Sequence, residues 1–518
     1  MIRVRQVSVL IGSNYNLKES LAKKLNISIS DIKYLKIHKR SIDARFKPKL
    51  YYVYELDVIL TKKVKHKDII KVPNEEYIFN SSGTIKLEER IVIVGAGPAG
   101  LFAAYLLSQA GFKPLVIDRG EMIEKRVKTV EKFWKEGILN KNSNVQFGEG
   151  GAGTFSDGKL NSQIKDKKNR IKKMLDIFIE CGAKEEIAYI HNPHIGTDNL
   201  RQIVINMRHK IMEMGGEFLY NTCLTDIHIN NNQIESIEVN NNKIIKCSIL
   251  VLALGHSARD TFEMLLKRKI NIVSKPFAIG VRIQNPQSLI DQNQYGTDII
   301  TKASYKLTYK ASNNRGVYSF CMCPGGYVVN ASSEEKVLVI NGMSNYKRDS
   351  GIANSAIIVT VNEQDYGKNP LDGIKYQQKI EKKAYEACQG KIPTQLYGDF
   401  KQNKKSVKLG NIKPMFKGDY ELTNLNAILP DYICDSLKEG IDYFDKKING
   451  IASSDTILSG VETRTSSPIR IVRDETFQCN IKGIYPCGEG SGYAGGITSS
   501  AVDGMKIAEA IASIYKRK

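Results

Sequence analysis

The sequence predicts an α/β chain. Its centre is a dinucleotide-binding parallel sheet with a β-meander, interrupted by an inserted α+β substrate or cap domain and preceded by a small α+β unit. Three observations predict this. Ile91-Val92-Ile93-Val94 reads as a buried parallel strand running into Gly95-x-Gly97-x-x-Gly100 and an apolar helix. Residues 218–254 switch to strand periodicity, broken by two Asn-Asn-Asn turns, and end in a wholly apolar strand at Gly255. A second glycine-rich turn, Gly488-Glu489-Gly490, comes just before a last helix from Ser499 to Tyr515.

In chain order, residues 1–86 form a separate unit. Ile2–Ile11, 32–40 and 51–60 have strand character, and Leu17, Leu21 and Leu25 share one helical face over 16–25. A ferredoxin-like α+β form is expected, followed by a linker at Asn80-Ser81-Ser82-Gly83. The main domain then runs over 88–270. Gly95 allows the tight turn, Gly97 lets a pyrophosphate approach the backbone, and Gly100 lets helix and strand pack closely. Pro98 and Ala99 open the helix, whose free N–H groups favour phosphate. The next strand, Leu115-Val116-Ile117, ends at Asp118-Arg119, about 20 residues past the last glycine, where a carboxylate suits an adenosine ribose.

A polar helix is expected over 121–135. The stretch 144–160 follows, with five glycines at 148, 150, 151, 153 and 158, too many for a regular element. Gly148, Gly150 and Gly153 repeat the fingerprint spacing, but no apolar helix follows, so a second Rossmann-like site is not assigned there; backbone close to a ligand is the better reading, a flexible surface loop the plainer one. A helix over 171–181 precedes Pro193-His194-Ile195-Gly196-Thr197-Asp198. The apolar stripe of 200–214 then predicts a helix capped by Thr197 or Asp198. Strands are expected at 218–229, 233–239 and 243–254. Residues 271–450 read as the inserted domain, with strands at 277–283, 317–323, 336–341 and 356–361 and a helix at 376–388. Residues 451–518 return to the first domain.

Composition narrows the class. With 42% hydrophobic and 25% charged residues, 518 residues make an ordinary globular chain of two or three domains. Its apolar runs are too short to span a bilayer, and the N-terminus lacks a signal-peptide core, so a cytoplasmic location is expected. The nine scattered cysteines suit a reducing compartment, and no His/Cys/Asp spacing reads as a metal site. The net charge of +21 also fits a nucleic-acid partner, but no basic-plus-aromatic RNA motif accompanies it, and a Lys/Asn/Ile-rich coding bias explains it as well.

The fingerprint, the meander ending in Leu252-Ala253-Leu254-Gly255, and Gly488-Glu489 before the last helix together resemble the two-dinucleotide-binding-domain flavoproteins, related to glutathione reductase by their FAD fold. A closer resemblance rests on Gly-Glu-Gly-Gly-Ala-Gly-Thr-Phe-Ser-Asp-Gly-Lys-Leu (148–160), Pro-His-Ile-Gly-Thr-Asp (193–198), Phe-Cys-Met-Cys-Pro-Gly-Gly (320–326), Glu-Thr-Arg-Thr-Ser-Ser-Pro (462–468) and Gly-Gly-Ile-Thr-Ser-Ser-Ala-Val-Asp-Gly (495–504). These motifs are similar to those of a poorly characterised family of FAD-dependent dehydrogenases that also carries a small N-terminal α/β domain. The resemblance implies FAD, held by the fingerprint, by Gly150, Gly151, Gly153 and Gly255, and by Gly488, Glu489, Gly496, Ile497 and Thr498. Glu489 stands where that fold usually has aspartate. The resemblance implies oxidoreductase chemistry and leaves the substrate open.

Catalytic candidates come from segments expected to meet at the flavin. Lys159 suits polarising a carbonyl or holding a carboxylate, with a plain surface lysine as the alternative, and His256 suits acid–base work, with a structural or FAD-contacting role as the favoured alternative. Cys321 and Cys323 share one face of a strand, but the spacing is not the Cys-x4-Cys of flavin disulfide reductases; burial is the plain alternative to a redox role. His194, Arg282, Arg464 and Arg470 are weaker substrate candidates, with packing or surface pairing as the alternative. No second complete fingerprint exists, so electrons come from transiently docking NAD(P)H, from a redox partner protein or from the substrate itself. The expected activity is hydride transfer between a small-molecule substrate and flavin N5. The alternatives are a saturase or monooxygenase, an FAD-containing RNA-binding or RNA-modifying protein, and a redox-sensing flavoprotein without turnover.

Overall fold

The computed structural model describes residues 1–298 and 301–517. At its centre lies a five-stranded parallel sheet, in the order Ile484–Pro486, Ile249–Leu252, Ile91–Val94, Leu115–Ile117, Glu217–Leu219. The central strands are apolar on both faces because both are covered. Ile91, Ile93, Val116, Ile249 and Val251 pack on one side against helices Pro98–Gln109, Thr197–Glu213 and Ile497–Ile514. Val92, Val94, Leu115, Ile117, Leu250 and Leu252 pack on the other against the meander and against Phe262 and Leu265 of helix Arg259–Lys267.

Two expected strands each divide in two. The 218–229 segment gives Glu217–Leu219 to the parallel sheet and Leu224–Asn230 to the meander. The 243–254 segment gives Lys243–Lys246 to the meander and Ile249–Leu252 to the sheet. Both breaks fall where the chain changes layers. The meander turns place Asn231, Asn232, Asn240 and Asn241 at positive φ, a conformation asparagine tolerates. The helix expected from Leu200 starts at Thr197 instead. Its cap is Gly196 at φ +80°, and neither Thr197 nor Asp198 caps it.

The inserted body is a seven-stranded sheet. Its order is Thr308–Lys310, Gly316–Cys323, Ile352–Val361, Phe277–Pro286, Ile457–Glu462, Ile392–Leu396, Tyr420–Leu422. Helices Asp372–Cys388 and Asp431–Asp445 pack against it. Strand Ile457–Glu462 belongs to this sheet, so the body extends past the boundary expected at 450. Entry and exit run side by side, Ile272–Ser274 pairing antiparallel with Ile469–Ile471. The strand expected at 336–341 forms only from Ile340 to Met343, after a turn with Lys336 at φ +56°.

The N-terminal unit is an antiparallel sheet in the order Ile32–Phe46, Lys49–Leu60, Ile2–Leu10, Ile69–Lys71, with one helix, Leu17–Leu25. That is the ferredoxin-like strand order with the second helix missing; residues 61–68 connect the last two strands as a short loop. The long hairpin of this unit reaches both other bodies. Arg40 and the 189–191 segment exchange backbone hydrogen bonds, Arg40 N–H to Tyr189 O at 2.7 Å and His191 N–H to Arg40 O at 2.9 Å. Lys47 Nζ donates to Asn293 O at 2.6 Å. Among the described residues no helix is long and apolar enough to cross a membrane.

Candidate active site

One cavity of about 1160 Å³ passes between all three bodies. Its first part is the fingerprint turn. Gly95 sits at φ +107°, and a Cβ there would meet Ala253 O at 2.4 Å, so the turn and the close approach both demand glycine. Gly100 does not face the cavity: a Cβ there would meet Gly95 O at 1.9 Å, which is the close helix–strand packing expected of it. At Gly97 a Cβ would have only Gly151 Cα near it, at 3.7 Å, leaving open space above the turn. Asp118 accepts from Ala96 N–H and Gly120 N–H, both at 2.8 Å, so it holds the turn as well as lining the cavity. Arg119 lines it too, its guanidinium 4.4 Å from the Phe147 ring and bonded to Asp260.

The glycine-rich loop supplies the next wall. It is largely buried and organised around Arg126, from helix Ile123–Glu136. This guanidinium is fully buried and donates to five carbonyls: Asn144 (2.9 Å), Val145 (3.0 Å), Gly148 (3.2 Å), Glu149 (2.6 Å) and Gly151 (2.9 Å). Burial pushes its pKa down to about 10, which leaves it charged at neutral pH. Glu149, also fully buried, accepts from Arg208, Tyr220 and Ile123 N–H. Gly151 and Gly153 line the cavity. Gly150 does not; it faces inward, where a Cβ would strike Thr154 Oγ1 at 2.1 Å, and it bonds to Ala96 O.

The third part is the N-terminus of the last helix. Gly496 and Ile497 line the cavity. Thr498 is turned away and donates to Leu160 O at 2.8 Å, tying this helix to the loop. Gly488 is also set back: its N–H bonds to Asp503, and a Cβ there would meet Ala99 Cβ at 2.8 Å. Gly255, Gly495 and Gly496 have nothing within 4 Å of where a Cβ would be. Both helices that point into the cavity, from Pro98 and from Ile497, lack a side-chain cap, so their first-turn N–H groups are free for a ligand.

The remaining candidates separate. Lys159, His256, Cys321 and Cys323 all line the cavity. His256 Nδ1 lies 3.3 Å from Glu489 Oε1, while its buried Nε2 has no partner. The Lys159 ammonium makes no ion pair among the described residues and lies near both thiols. A slip in register between Phe320 and Cys323 bends their strand, with Cys321 at φ +43°, so the expected shared face is lost. Cys321 opens into the cavity and Cys323 is buried. The Cys321 thiol is ringed by protein although the cavity reaches it, and burial pushes its pKa up to about 12.

The weaker substrate candidates are not free to bind one. Arg282 is fully buried with every N–H used, on Glu462, Asn354, Asn341 and Cys321 O. Arg464 reaches the cavity wall but is equally consumed, by Glu381, Glu334, Ser257 and Ser333. Arg470 lies on the surface over Tyr493. His194 stacks on Tyr346 and bonds its carbonyl, outside the cavity. In their place the structure brings Tyr305, Ser319 and Asn341 to the wall. Nothing in their sequence context marks them: Tyr305 sits in a Lys-rich connection, and Asn341 on a strand whose start was misplaced.

The cavity exceeds the ~300–1,000 Å³ of an ordinary single-ligand site. The open cradles at Gly97, Gly255 and Gly496, with two free helix N-termini, fit an extended dinucleotide. Residues 276–465 match the family described as "FAD-dependent protein, C-terminal domain-like", 93–140 the NAD(P)-binding Rossmann-like domain, and 1–59 a domain of unknown function. An uncharacterized protein of Clostridium beijerinckii is 48% identical over 526 residues, covering 98% of both chains.

The chain belongs to a family of FAD-dependent oxidoreductases.

FAD is the cofactor of this flavoprotein. Among solved structures it is similar to L-proline dehydrogenase from P. horikoshii (16% identity, 82% of this chain and 94% of that one, TM-score 0.35). It is also similar to glycine oxidase from Bacillus cereus (12%, 82% and 95%, TM-score 0.31). Likeness at this level says nothing about the reaction.

Proposed function

We propose that this flavoprotein oxidises or reduces a small-molecule substrate by hydride exchange with flavin N5, in the part of the cavity walled by Lys159, His256, Tyr305, Cys321 and Asn341. The observation that supports this most is His256 in the cavity wall, its Nδ1 beside Glu489 and its buried Nε2 without a partner, while the other walls suit the cofactor. When bound, FAD supplies a two-electron acceptor or donor. The fingerprint turn and the helix from Pro98 would hold its phosphates; the loop at 151–153 and the helix from Ile497 would hold its other end. The free N–H groups at Ile497 favour negative charge there.

His256 holds or takes a proton at Nε2, with Glu489 fixing the ring through Nδ1. The uncommitted ammonium of Lys159 orients a carbonyl or carboxylate. Burial keeps the Cys321 thiol neutral, which suits a lining group rather than a nucleophile. Where the substrate is oxidised it supplies the electrons and a redox partner protein takes them up; where it is reduced, NAD(P)H docking transiently or a redox partner protein supplies them. Anaerobic screening of metabolites, and of NADH and NADPH, for loss of flavin absorbance tests the reading. Bleaching is expected with one substrate class, and His256→Gln should slow it about 10²–10⁴-fold with FAD still bound. A yellow protein that no substrate or nicotinamide bleaches, or full activity in His256→Gln, would overturn it.

A further inference from the structure

The cavity continues past the catalytic wall. Residues 158–161 run antiparallel to 192–195, with Leu160 N–H on Pro193 O and Ile195 N–H on Gly158 O, both at 3.0 Å. Strand alternation puts Lys159 and Asn161 on one side of this ribbon, and both line the cavity. Beyond Asn161 the lining changes. Apolar lining comes from Ile171, Leu175, Ile187, Tyr189 and Ile190, and the pairing of Arg40 with Ile190 brings His191 beside Lys39 and His38; burial holds both imidazoles below the ordinary 6.5, so the cation here is Lys39. Lys39 and His38 belong to the N-terminal unit, so that unit is a wall of the cavity and not a separate appendage. It is held there by the paired backbone bonds between Arg40 and 189–191 and by Lys47 on Asn293.

The charge of this outer end is one-sided. The four acids that line the cavity lie elsewhere. Asp118 is on the fingerprint turn, Asp157 is paired with Arg348, Glu462 with Arg282, and Glu489 with His256. Lys39 makes no ion pair among the described residues, although Glu55 is its cross-strand neighbour. Glu75 is 3.9 Å from His38 Nδ1 but lies outside the lining. Amides of Asn161, Gln163 and Asn192 complete the rim.

We propose that this outer end is a substrate subsite built by the N-terminal unit, which binds the anionic terminus of an elongated, partly apolar substrate whose other end reaches the flavin. The apolar stretch takes the body of the molecule, while Lys39 and His191 take a carboxylate or phosphate. The proposal rests on the flavin reading for its reporter, since a ligand reaching the flavin changes the absorbance of bound FAD.

The test titrates the FAD-loaded full chain with dodecanoate and, separately, with dodecan-1-ol, both below micelle-forming concentrations. Dodecanoate is expected to shift the flavin spectrum saturably and to bind at least tenfold more tightly than the alcohol. Lys39→Gln should remove most of that preference, Lys39→Arg should keep it, and neither should change FAD content. Equal affinity for acid and alcohol, an unchanged preference in Lys39→Gln, or no spectral shift with either probe would overturn the subsite. A colourless protein that does not take up FAD would instead refute the cofactor assignment, so the two failures are distinct.

Discussion

Replacing Arg126 by methionine tests how the glycine-rich loop is built. Methionine keeps much of the apolar length that packs beside Phe155, whose ring centre is 4.9 Å from the guanidinium, but it removes every donor. All five carbonyls lose this donor; Gly148 O keeps Gly151 N–H, Gly151 O keeps Thr154 N–H and Glu149 O keeps the Thr154 hydroxyl, which leaves Asn144 O and Val145 O unpaired. A buried acceptor left unpaired costs ~1–3 kcal/mol. With those two left buried and unpaired, the loss is about 2–6 kcal/mol. At about 1.4 kcal/mol per factor of ten, FAD binding weakens roughly 30-fold to 10⁴-fold when the cofactor must reorder the loop. The assay is titration of apoprotein with FAD, followed by flavin fluorescence, with circular dichroism to show that the sheets persist. Arg126→Lys keeps the charge and up to three of the bonds, so it should fall between. Wild-type FAD affinity in Arg126→Met would refute the view that this guanidinium organises the loop.

Three further predictions follow from other parts of the site. Gly97→Val should fold normally, because only Gly151 Cα lies near the new Cβ, but should lose FAD by filling the phosphate space; wild-type flavin content would contradict that placement. Cys321, at about 12 against an ordinary 9.0, should carry about 10³-fold less thiolate at pH 8 than a free thiol. Its alkylation by iodoacetamide, located by peptide mass, should rise about tenfold per pH unit to beyond pH 11, and a plateau by pH 9 would exclude the buried neutral thiol. Glu381→Gln should destabilise the seam between the two large bodies by about 3–5 kcal/mol, seen in denaturant unfolding, because Arg259 and Arg464 both lose their buried partner. Burial alone would raise the Glu381 carboxyl; the two guanidinium groups overcome it and hold the pKa well below the ordinary 4.5. The sign follows: this contribution is complete above about pH 4.5 and is lost as pH falls below it, so the wild type should lose stability in acid faster than Glu381→Gln does.

Much of the cofactor half was legible because its signals are local. A glycine that turns at positive φ, or that lets helix and strand touch, must be glycine whatever surrounds it, and Gly95 and Gly100 are such positions. The wholly apolar strands at 91–94 and 249–252 pointed to a sheet covered on both faces, and it is. The errors arose where one apolar run served two layers. Residues 218–229 and 243–254 carry no sign that the chain leaves one sheet for another, since both layers ask for the same residue types. Thr498 and Gly488 were placed on the ligand by motif, whereas their contacts with Leu160, Asp503 and Ala99 hold the motif's own frame.

The charged residues were the least legible. Arg282, Arg464 and Arg126 look alike in sequence, yet the first two are spent in buried networks and the third organises the glycine-rich loop. Their partners lie 18–207 residues away, beyond any spacing rule. By itself, then, the sequence determined the nucleotide-binding strand–turn–helix and the order of the bodies, because these follow from backbone conformations and periodicities that neighbouring residues dictate; the cofactor class came from the resemblance its motifs carry. Only the tertiary structure decided which guanidinium groups are committed, that His256 holds a buried nitrogen without a partner, and that Lys39 of the N-terminal unit shares a cavity with Cys321. Those are facts about which distant segments meet, and packing alone brings them together.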